Sequence, residues 1–360
     1  MASEAASVAA LELRGVGKLI GPAWAVRGVT LTVAAGELFV LVGGPRAGKT
    51  TLLDLILGFL DPDLGEIAID GQSVAGVAAR RRQLGLVPAN LGLWPNLSAF
   101  EHAAFGLREA RLPAGDVRTR VADALRVVGL DGMERRLPAD LTPEQGARLA
   151  LARALAPQPR VLLLDDPFST LGPGARRALR RDLRRIHRDT RLTMIHATRD
   201  ADEATALATR LGVIDRGELI QTGPPAEVYR RPLTRAVAEL LGDLTVLAGR
   251  LEDGPSGLIV RIKDGLTLTV TSDLASGGAV TCLIRPEAIQ RAAPDVRDPN
   301  RVFATVASVG WMRGRWECEL ALAGGVTLRA DLSATGFAAP VVGDLVTVLI
   351  PSDDIVVLPG

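Results

Sequence analysis

Lysine is scarce in this chain: only Lys18, Lys49 and Lys263 stand among 42 basic residues, so a lysine in a functional pattern carries weight. Cysteine is scarcer still. Cys282 and Cys318 are far apart and fit no metal-ligand spacing, so redox and thiolate-metal chemistry are set aside and both read as small buried hydrophobes. No apolar run approaches the roughly eighteen residues needed to cross a bilayer. The N-terminus carries Glu4 and lacks a basic-then-apolar pattern, so it does not read as a secretory signal and the expected location is the cytoplasm. The net charge of +1, from 42 basic and 41 acidic residues, excludes a global field toward nucleic acid or anionic lipid. What is present is length and apolar content: 360 residues at 48% hydrophobic, enough for two or three globular domains.

One of the three lysines falls in Gly43-Gly44-Pro45-Arg46-Ala47-Gly48-Lys49-Thr50, which fits G-x-x-x-x-G-K-[ST]. The apolar run Leu38 to Val42 reads as a buried strand before it, and Thr51 to Phe59 as a helix after it. That order is the one a phosphate-binding loop requires. Such a loop wraps backbone N–H groups round a β-phosphate at the helix N-terminus, while Lys49 reaches the β/γ oxygens and the Thr50 hydroxyl ligates Mg²⁺. ATP or GTP is therefore the expected ligand, with Thr51 closing the binding segment. An incidental glycine-rich turn is the alternative, and it is disfavoured because a chain this biased toward arginine would seldom place a lysine at the one phosphate-contacting position by chance. Arg46 stands where related loops carry glycine, so φ above zero is expected there at a cost of about 1 kcal/mol or more.

The region from 10 to 42 contains the strand-like stretches Val29–Val33 and Leu38–Val42, separated by the turn at Ala35-Gly36. From about Leu97 to Leu137 the period becomes helical, as at Val117, Val121, Ala124, Leu125 and Val128, with Gly129 as a stop signal. A second buried strand, Val161 to Leu164, leads into Asp165-Asp166-Pro167, and β/α alternation continues to about Arg231. The pattern predicts an α/β P-loop nucleotide-binding domain over residues 8–240 with a helical insert near 95–145. Beyond about Leu244, alternation such as Leu266 to Thr271, and Leu320 and Leu322 passing through Gly324-Gly325 to Val326, Leu328 and Ala330, predicts short antiparallel strands. A small all-β OB-like barrel over 245–360 is expected.

Asp165 ends its strand where a carboxylate can hold the Mg²⁺ shell beside Lys49 and Thr50. With that pairing in place, the chain closely resembles the ATP-binding subunits of ABC importers, the type serving sugars, polyamines, ferric iron or sulfate that carries a C-terminal OB-like, TOBE-type domain. The glycine loop, Leu149 to Leu155, Asp165-Asp166-Pro167, Ile214 to Gly223 with Glu227-Val228-Tyr229, and Ile284-Arg285-Pro286-Glu287 carry the resemblance over nearly the whole chain. It implies ATP and Mg²⁺ as ligands and permease transmembrane subunits docked on the helical insert. It also implies a second ATP-binding subunit, identical or not, and a peripheral place on the inner face of the cell membrane.

The same resemblance marks several departures. Each ATP of the family lies between one chain's glycine loop and its partner's L-S-G-G-Q signature, which here reads Leu141-Thr142-Pro143-Glu144-Gln145. Thr142, Pro143 and Gln145 form a good helix start. As a γ-phosphate clamp the segment is poor: Pro143 has no N–H, and Glu144 brings a carboxylate toward phosphate at about 3 kcal/mol for a unit pair near 5 Å. Asp166 takes the place of the glutamate that polarises the attacking water, so it is the catalytic candidate, one methylene short. Arg199 aligns with the switch histidine, with His196 three residues early; Ala89 aligns with the glutamine that senses Mg²⁺ and water; Gly172 replaces an aspartate. Ile20 aligns with the adenine-stacking aromatic, with Trp24 nearby. Phosphate binding is expected to be retained and hydrolysis damaged.

The arginines from Arg176 to Arg188, with Leu179, Leu183 and Ile186 at helical spacing, read as a solvated amphipathic helix, and Arg80-Arg81-Arg82 as solvated surface. No nucleic-acid partner is expected. Two readings compete: a transport motor with weakened hydrolysis, and a nucleotide-binding pseudoenzyme acting as a structural or regulatory subunit. An unrelated P-loop kinase or GTPase would require the signature and C-terminal similarities to be accidental.

Overall fold

The computed structural model describes residues 9–255, 257–262, 265–293, 297–335 and 338–360. Glu4, residue 8 and Lys263 lie outside them. The chain packs as two compact units divided between Ala226 and Glu227.

The first unit opens with the long hairpin β1 (Ala9–Ile20) and β2 (Ala23–Ala34), followed by β3 (Leu38–Val42) and α1 (Lys49–Leu57). All five residues of β3 are buried. Then come β4 (Leu64–Ile69), β5 (Gln72–Ser73) and β6 (Leu84–Val87). The helices α2 (Ala99–Glu109) and α3 (Ala114–Val127) form the insert, packing on α4 (Pro143–Leu155). Val117, Val121, Ala124 and Leu125 are the buried face of α3, as their spacing predicts. The unit continues through β7 (Val161–Asp165), α5 (Pro173–Thr190), β8 (Thr193–Thr198), α6 (Ala201–Leu207), β9 (Arg210–Asp215) and β10 (Glu218–Gly223).

Two sheets result. One is antiparallel in the order β2-β1-β4-β5; the other has six strands in the order β10-β9-β3-β8-β7-β6, parallel except for the edge strand β10. Residues from both sheets and α1, including Leu11, Val33, Phe39, Leu53 and Ile195, share one core. At roughly 1.5–3 kcal/mol for each fully buried large aliphatic or aromatic side chain, that core holds the strand ends in place. The parallel register sets Val42 beside Thr198, and Asp165 beside Ala197. The C-terminal ends of β3, β8 and β7 therefore open on one edge, where open α/β sheets bind ligands.

β1 was not among the expected strands: the glycines at 15 and 17 interrupt its alternation, yet Leu11, Leu13 and Val16 are fully buried. A second correction concerns Arg82. It is not solvated surface but 6% exposed, and its guanidinium donates to the carbonyls of Leu55, Ile56, Val74 and Val77 at 2.9–3.2 Å. Two of those carbonyls end α1, where Leu55 also accepts the Gly58 N–H at 3.2 Å and Ile56 has no intrahelical donor. Burial lowers its pKa from the ordinary arginine value. Arg176 also departs from the solvated reading, since it donates to the carbonyls of Phe168, Ser169 and Leu171 while α5 buries Leu179, Leu183 and Ile186.

The second unit begins with the helical segment α7 (Pro225–Arg230), most of which belongs to it, and α8 (Arg235–Leu241). Its strands are β11 (Thr245–Gly254), β12 (Gly257–Ile262), β13 (Thr267–Thr269), β14 (Ala279–Ile284), β15 (Gln290–Arg291), β16 (Arg301–Met312), β17 (Arg315–Leu322), β18 (Thr327–Ser333), β19 (Leu345–Leu349) and β20 (Ile355–Pro359). They form two five-stranded antiparallel sheets, β13-β12-β11-β14-β20 and β15-β19-β16-β17-β18, round a common core. This is the expected OB-like all-β domain. Cys282 and Cys318 sit in that core as buried free thiols. Tyr229 is fastened to this unit: its hydroxyl bonds Glu287, and the Arg285 guanidinium lies 4.3 Å from its ring centroid while donating to the Gly242 carbonyl at 2.9 Å.

Candidate functional site

The loop between β3 and α1 has the geometry its glycines imply. Gly48 caps α1 with φ 101°, and a Cβ there would lie 2.3 Å from the Ala25 carbonyl oxygen. A Cβ on Gly43 would lie 2.4 Å from the Ile214 carbonyl oxygen, so neither position admits a side chain. Arg46 takes φ 61°, the left-handed conformation expected of it, and its side chain is exposed. Pro45 and Arg46 form the turn of the loop, and the backbone between Gly44 and Thr51 runs into the first turn of α1.

Lys49 is 7% exposed and folds back on the loop, its Nζ donating to the carbonyls of Gly43 at 2.7 Å and Gly44 at 2.8 Å. Burial lowers its pKa from the ordinary lysine value, and the Asp166 charge works against that shift. Thr50 Oγ1 donates to Asp165 at 2.9 Å from Oδ2 and 3.2 Å from Oδ1. Burial raises the Asp165 pKa, and the Thr50 hydrogen bond opposes the rise. A half-buried carboxylate meeting a hydroxyl oxygen at this distance is a donor set that suits a hard divalent cation. Among the described residues no group of three or more His, Cys, Asp or Glu could hold a metal alone. Thr50 and Asp165 thus fit a Mg²⁺ whose other ligands are phosphate and water rather than a protein cage.

Asp166 follows with φ 47°, its N–H on the Ala197 carbonyl at 2.8 Å and its own carbonyl accepting from Ser169 Oγ at 2.8 Å. Its side chain is taken by Arg199, with Nε 2.9 Å from Oδ2. That ion pair has no signal in the sequence, because the two residues meet only through the β7–β8 register. His196 is no substitute for Arg199: it is fully buried, with Nε2 2.7 Å from Glu203 Oε1, and Thr198 Oγ1 donates to the other Glu203 oxygen at 3.1 Å.

The remaining positions lie apart from this cluster in kind. Ala89 is exposed beyond β6 and offers no polar group. Ile20 is 54% exposed at the β1–β2 turn, while Trp24 pairs across from Leu19 and covers Gly17, where a Cβ would lie 3.0 Å from its ring. Gly172 caps α5 without a side-chain bond. In the signature segment, Thr142 accepts from the Gln145 N–H at 3.2 Å and Gln145 accepts from the Thr142 N–H at 2.9 Å, the expected capping box. Glu144 is not a free carboxylate, since Arg148 holds its Oε1 at 3.0 Å. That contact reduces the repulsion expected from it.

Comparison with known proteins agrees with the geometry. Residues 26–169 match the family described as ABC transporter, and residues 282–358 match the TOBE domain. The spermidine/putrescine import ATP-binding protein PotA of Rubrobacter xylanophilus is 37% identical over 309 residues, covering 84% of this chain and 81% of that one. The sulfate/thiosulfate import ATP-binding protein CysA of Burkholderia mallei is 36% identical over 343 residues, covering 94% and 96%. Among solved structures, cbiO1 from Clostridium perfringens, part of the ABC transporter complex cbiONQ, superposes with a TM-score of 0.57 at 27% identity over 61% of this chain and 90% of that one.

Proposed function

Because the chain belongs to the family of ATP-binding subunits of ABC importers that carry a C-terminal TOBE domain, we propose that it binds Mg·ATP at Gly43–Thr51 and couples that binding to permease subunits, with hydrolysis weakened. The observation that carries this reading is the convergence of Lys49, Thr50 and Asp165 beside an Asp166 already engaged by Arg199. Lys49 would leave the Gly43 and Gly44 carbonyls for the β/γ oxygens, an exchange of neutral acceptors for charged ones. Bound Mg²⁺ would offset charge on those oxygens, with Thr50 and Asp165 as its protein ligands. Asp166 is the candidate base at this edge, and it is both short and paired.

A second ATP-binding subunit would supply the signature segment to each site, and permeases would dock on the insert of α2 and α3. No helix among the described residues is long and apolar enough to cross a membrane, which suits a subunit held at the inner membrane face by such partners. The relatives import polyamines and sulfate at nearly equal identity. We read solute choice as lying, as in the family, with the permease and the external binding protein rather than with this chain.

The Asp166–Arg199 pair also favours the second reading, a pseudoenzyme in which ATP holds an assembly together without useful turnover. ATP hydrolysis by the chain copurified with its permeases separates the two: solute-stimulated turnover supports a motor, and nucleotide-dependent assembly without turnover supports a pseudoenzyme.

A further inference from the structure

We propose that a cavity at the edge of the six-stranded sheet opposite the phosphate loop is a second ligand site of the first unit. It takes a small amphipathic anion, a carboxylate carried on an apolar body such as a medium-chain fatty acid. The site stands apart from the nucleotide reading and needs none of its residues.

Three connections meet there. Ala35 and Gly36 precede β3, Pro159 and Arg160 precede β7, and Thr190 to Thr193 pass from α5 into β8. The cavity thus lies at the amino ends of the parallel strands whose carboxyl ends carry the loop. Its volume is about 580 Å³, within the roughly 300–1,000 Å³ of small-molecule sites. One wall is a single face of α3, where Arg120, Asp123, Ala124 and Val127 follow the helical spacing. Ala10, Leu155, Pro159 and Leu192 add apolar surface. The turn before β3 closes in on the end of α5, since a Cβ on Gly36 would lie 3.2 Å from the Arg191 carbonyl oxygen.

Most polar groups bordering the cavity are already engaged. Asp123 is paired with Arg126 at 3.0 Å and Asp70 with Arg160 at 2.6 Å, and Arg160 also donates to Gln83 Oε1 at 2.8 Å. Thr190 Oγ1 donates to the Ile186 carbonyl at 2.7 Å, and Thr193 Oγ1 accepts the Gly36 N–H at 2.9 Å. The helix-end carbonyls of Leu155 and His187 accept the N–H groups of Gln158 and Arg191, each at 2.8 Å. What is left over is the Gln158 amide and two positive charges. Arg120 is half-buried on α3, and Arg191 is exposed at the end of α5 with φ 53°. Neither guanidinium has a hydrogen bond or ion pair among the described residues. Two free guanidinium groups bordering one apolar cavity suit an anion with an apolar body. A carboxylate accepts paired N–H bonds from a guanidinium, and each methylene removed from water on the apolar walls adds to affinity. A bare inorganic anion would leave those walls wet, and a neutral hydrocarbon would leave the charges uncompensated. A ligand seated there touches α3 on one side and the α5–β8 connection on the other, and so braces the helical insert against the sheet.

Calorimetry of the full chain with decanoate, octanoate, hexanoate, acetate and decanol tests the site, beside hydrogen exchange with and without decanoate. Decanoate should bind once per chain, and affinity should fall about threefold to fourfold for each methylene removed along the series. Decanol should bind about tenfold more weakly for want of a charge-assisted contact, and acetate should not bind measurably. Exchange should slow at 120–127 and 190–193 and stay unchanged at 43–51. Arg120→Ala/Arg191→Ala should lose about tenfold or more in decanoate affinity and leave decanol affinity unchanged. Ala35→Trp, which narrows the cavity from an exposed turn position, should weaken both. Urea midpoints equal to that of the unaltered chain report intact folds, and if a variant unfolds, the decanol comparison and the exchange map of the unaltered chain decide. Equal affinity for decanol and decanoate, acetate binding as tightly as decanoate, exchange protection elsewhere, or decanoate affinity indifferent to both arginines would each overturn the site. So would the absence of binding by any of these compounds, and that result would leave the phosphate-loop reading standing.

Discussion

Thr50 Oγ1 lies 2.9 Å from Asp165 Oδ2, although the two residues are 115 positions apart. The contact joins the first turn of α1 to the end of β7, and with Lys49 it defines where phosphate and cation would meet. Lys49→Ala should weaken Mg·ATP binding by roughly tenfold or more in calorimetry, since it removes a charge-assisted phosphate contact. Thr50→Ala should leave affinity without Mg²⁺ nearly unchanged and lower the gain that Mg²⁺ gives. Undiminished affinity in Lys49→Ala would remove the phosphate-loop assignment.

On the proposed reading hydrolysis should be slow with either an identical or a fully competent partner subunit, because Asp166, Ala89 and Arg199 would weaken the chain's own loop site and Pro143 and Glu144 would weaken its partner's. Replacing Pro143 and Glu144 with glycine should increase ATP-dependent dimer in size exclusion. Adding Asp166→Glu, Ala89→Gln and Arg199→His should then raise single-turnover hydrolysis, as the base regains reach. Full hydrolysis from the clamp pair alone would show that Asp166, Ala89 and Arg199 are not the catalytic defect.

Arg82→Met should lower stability by about 2–4 kcal/mol, because it strands the carbonyls of Ile56 and Val77 and takes a charged donor from those of Leu55 and Val74, which keep the Gly58 and Val77 N–H groups. Arg80→Ala and Arg81→Ala, which remove exposed side chains, should stay within about 0.5 kcal/mol. Urea unfolding of the three variants decides it, and equal midpoints would return Arg82 to the surface.

Burial pushes the Cys282 thiol up from an ordinary 9.0 to about 12, and the Cys318 thiol up as well. The folded state thus disfavours the Cys282 thiolate, so its contribution holds below the free thiol's value and is lost as pH rises from about 9 toward about 12. Iodoacetamide at pH 8.5 should label neither cysteine in the native chain and both in urea. Rapid native labelling of Cys282 would contradict its place in the core.

The parts legible in the sequence were those whose signal is local. Gly48-Lys49-Thr50 announces its loop through spacing, Arg46 announces its positive φ by standing in a glycine's place, and Thr142 with Gln145 announces a helix start. What stayed hidden needed partners distant in the chain. Arg82 looks like its two neighbours until the end of α1 arrives beside it, and Arg199 meets Asp166 only because two parallel strands align Asp165 with Ala197. β1 was obscured by its own glycines, which weaken a strand pattern that cross-strand pairing nonetheless enforces.

The attachment of Tyr229 to Arg285 and Glu287 bears on where the chain can be cut. A barrel fragment beginning at Leu244 would discard the ring that covers the Arg285 guanidinium and the Gly242 carbonyl that accepts from it, leaving a half-buried cation short of company. One beginning at Glu227 keeps both. Excision of this half as an independent module therefore belongs seventeen residues upstream of where its strand pattern begins to be readable, by the difference between positions 227 and 244.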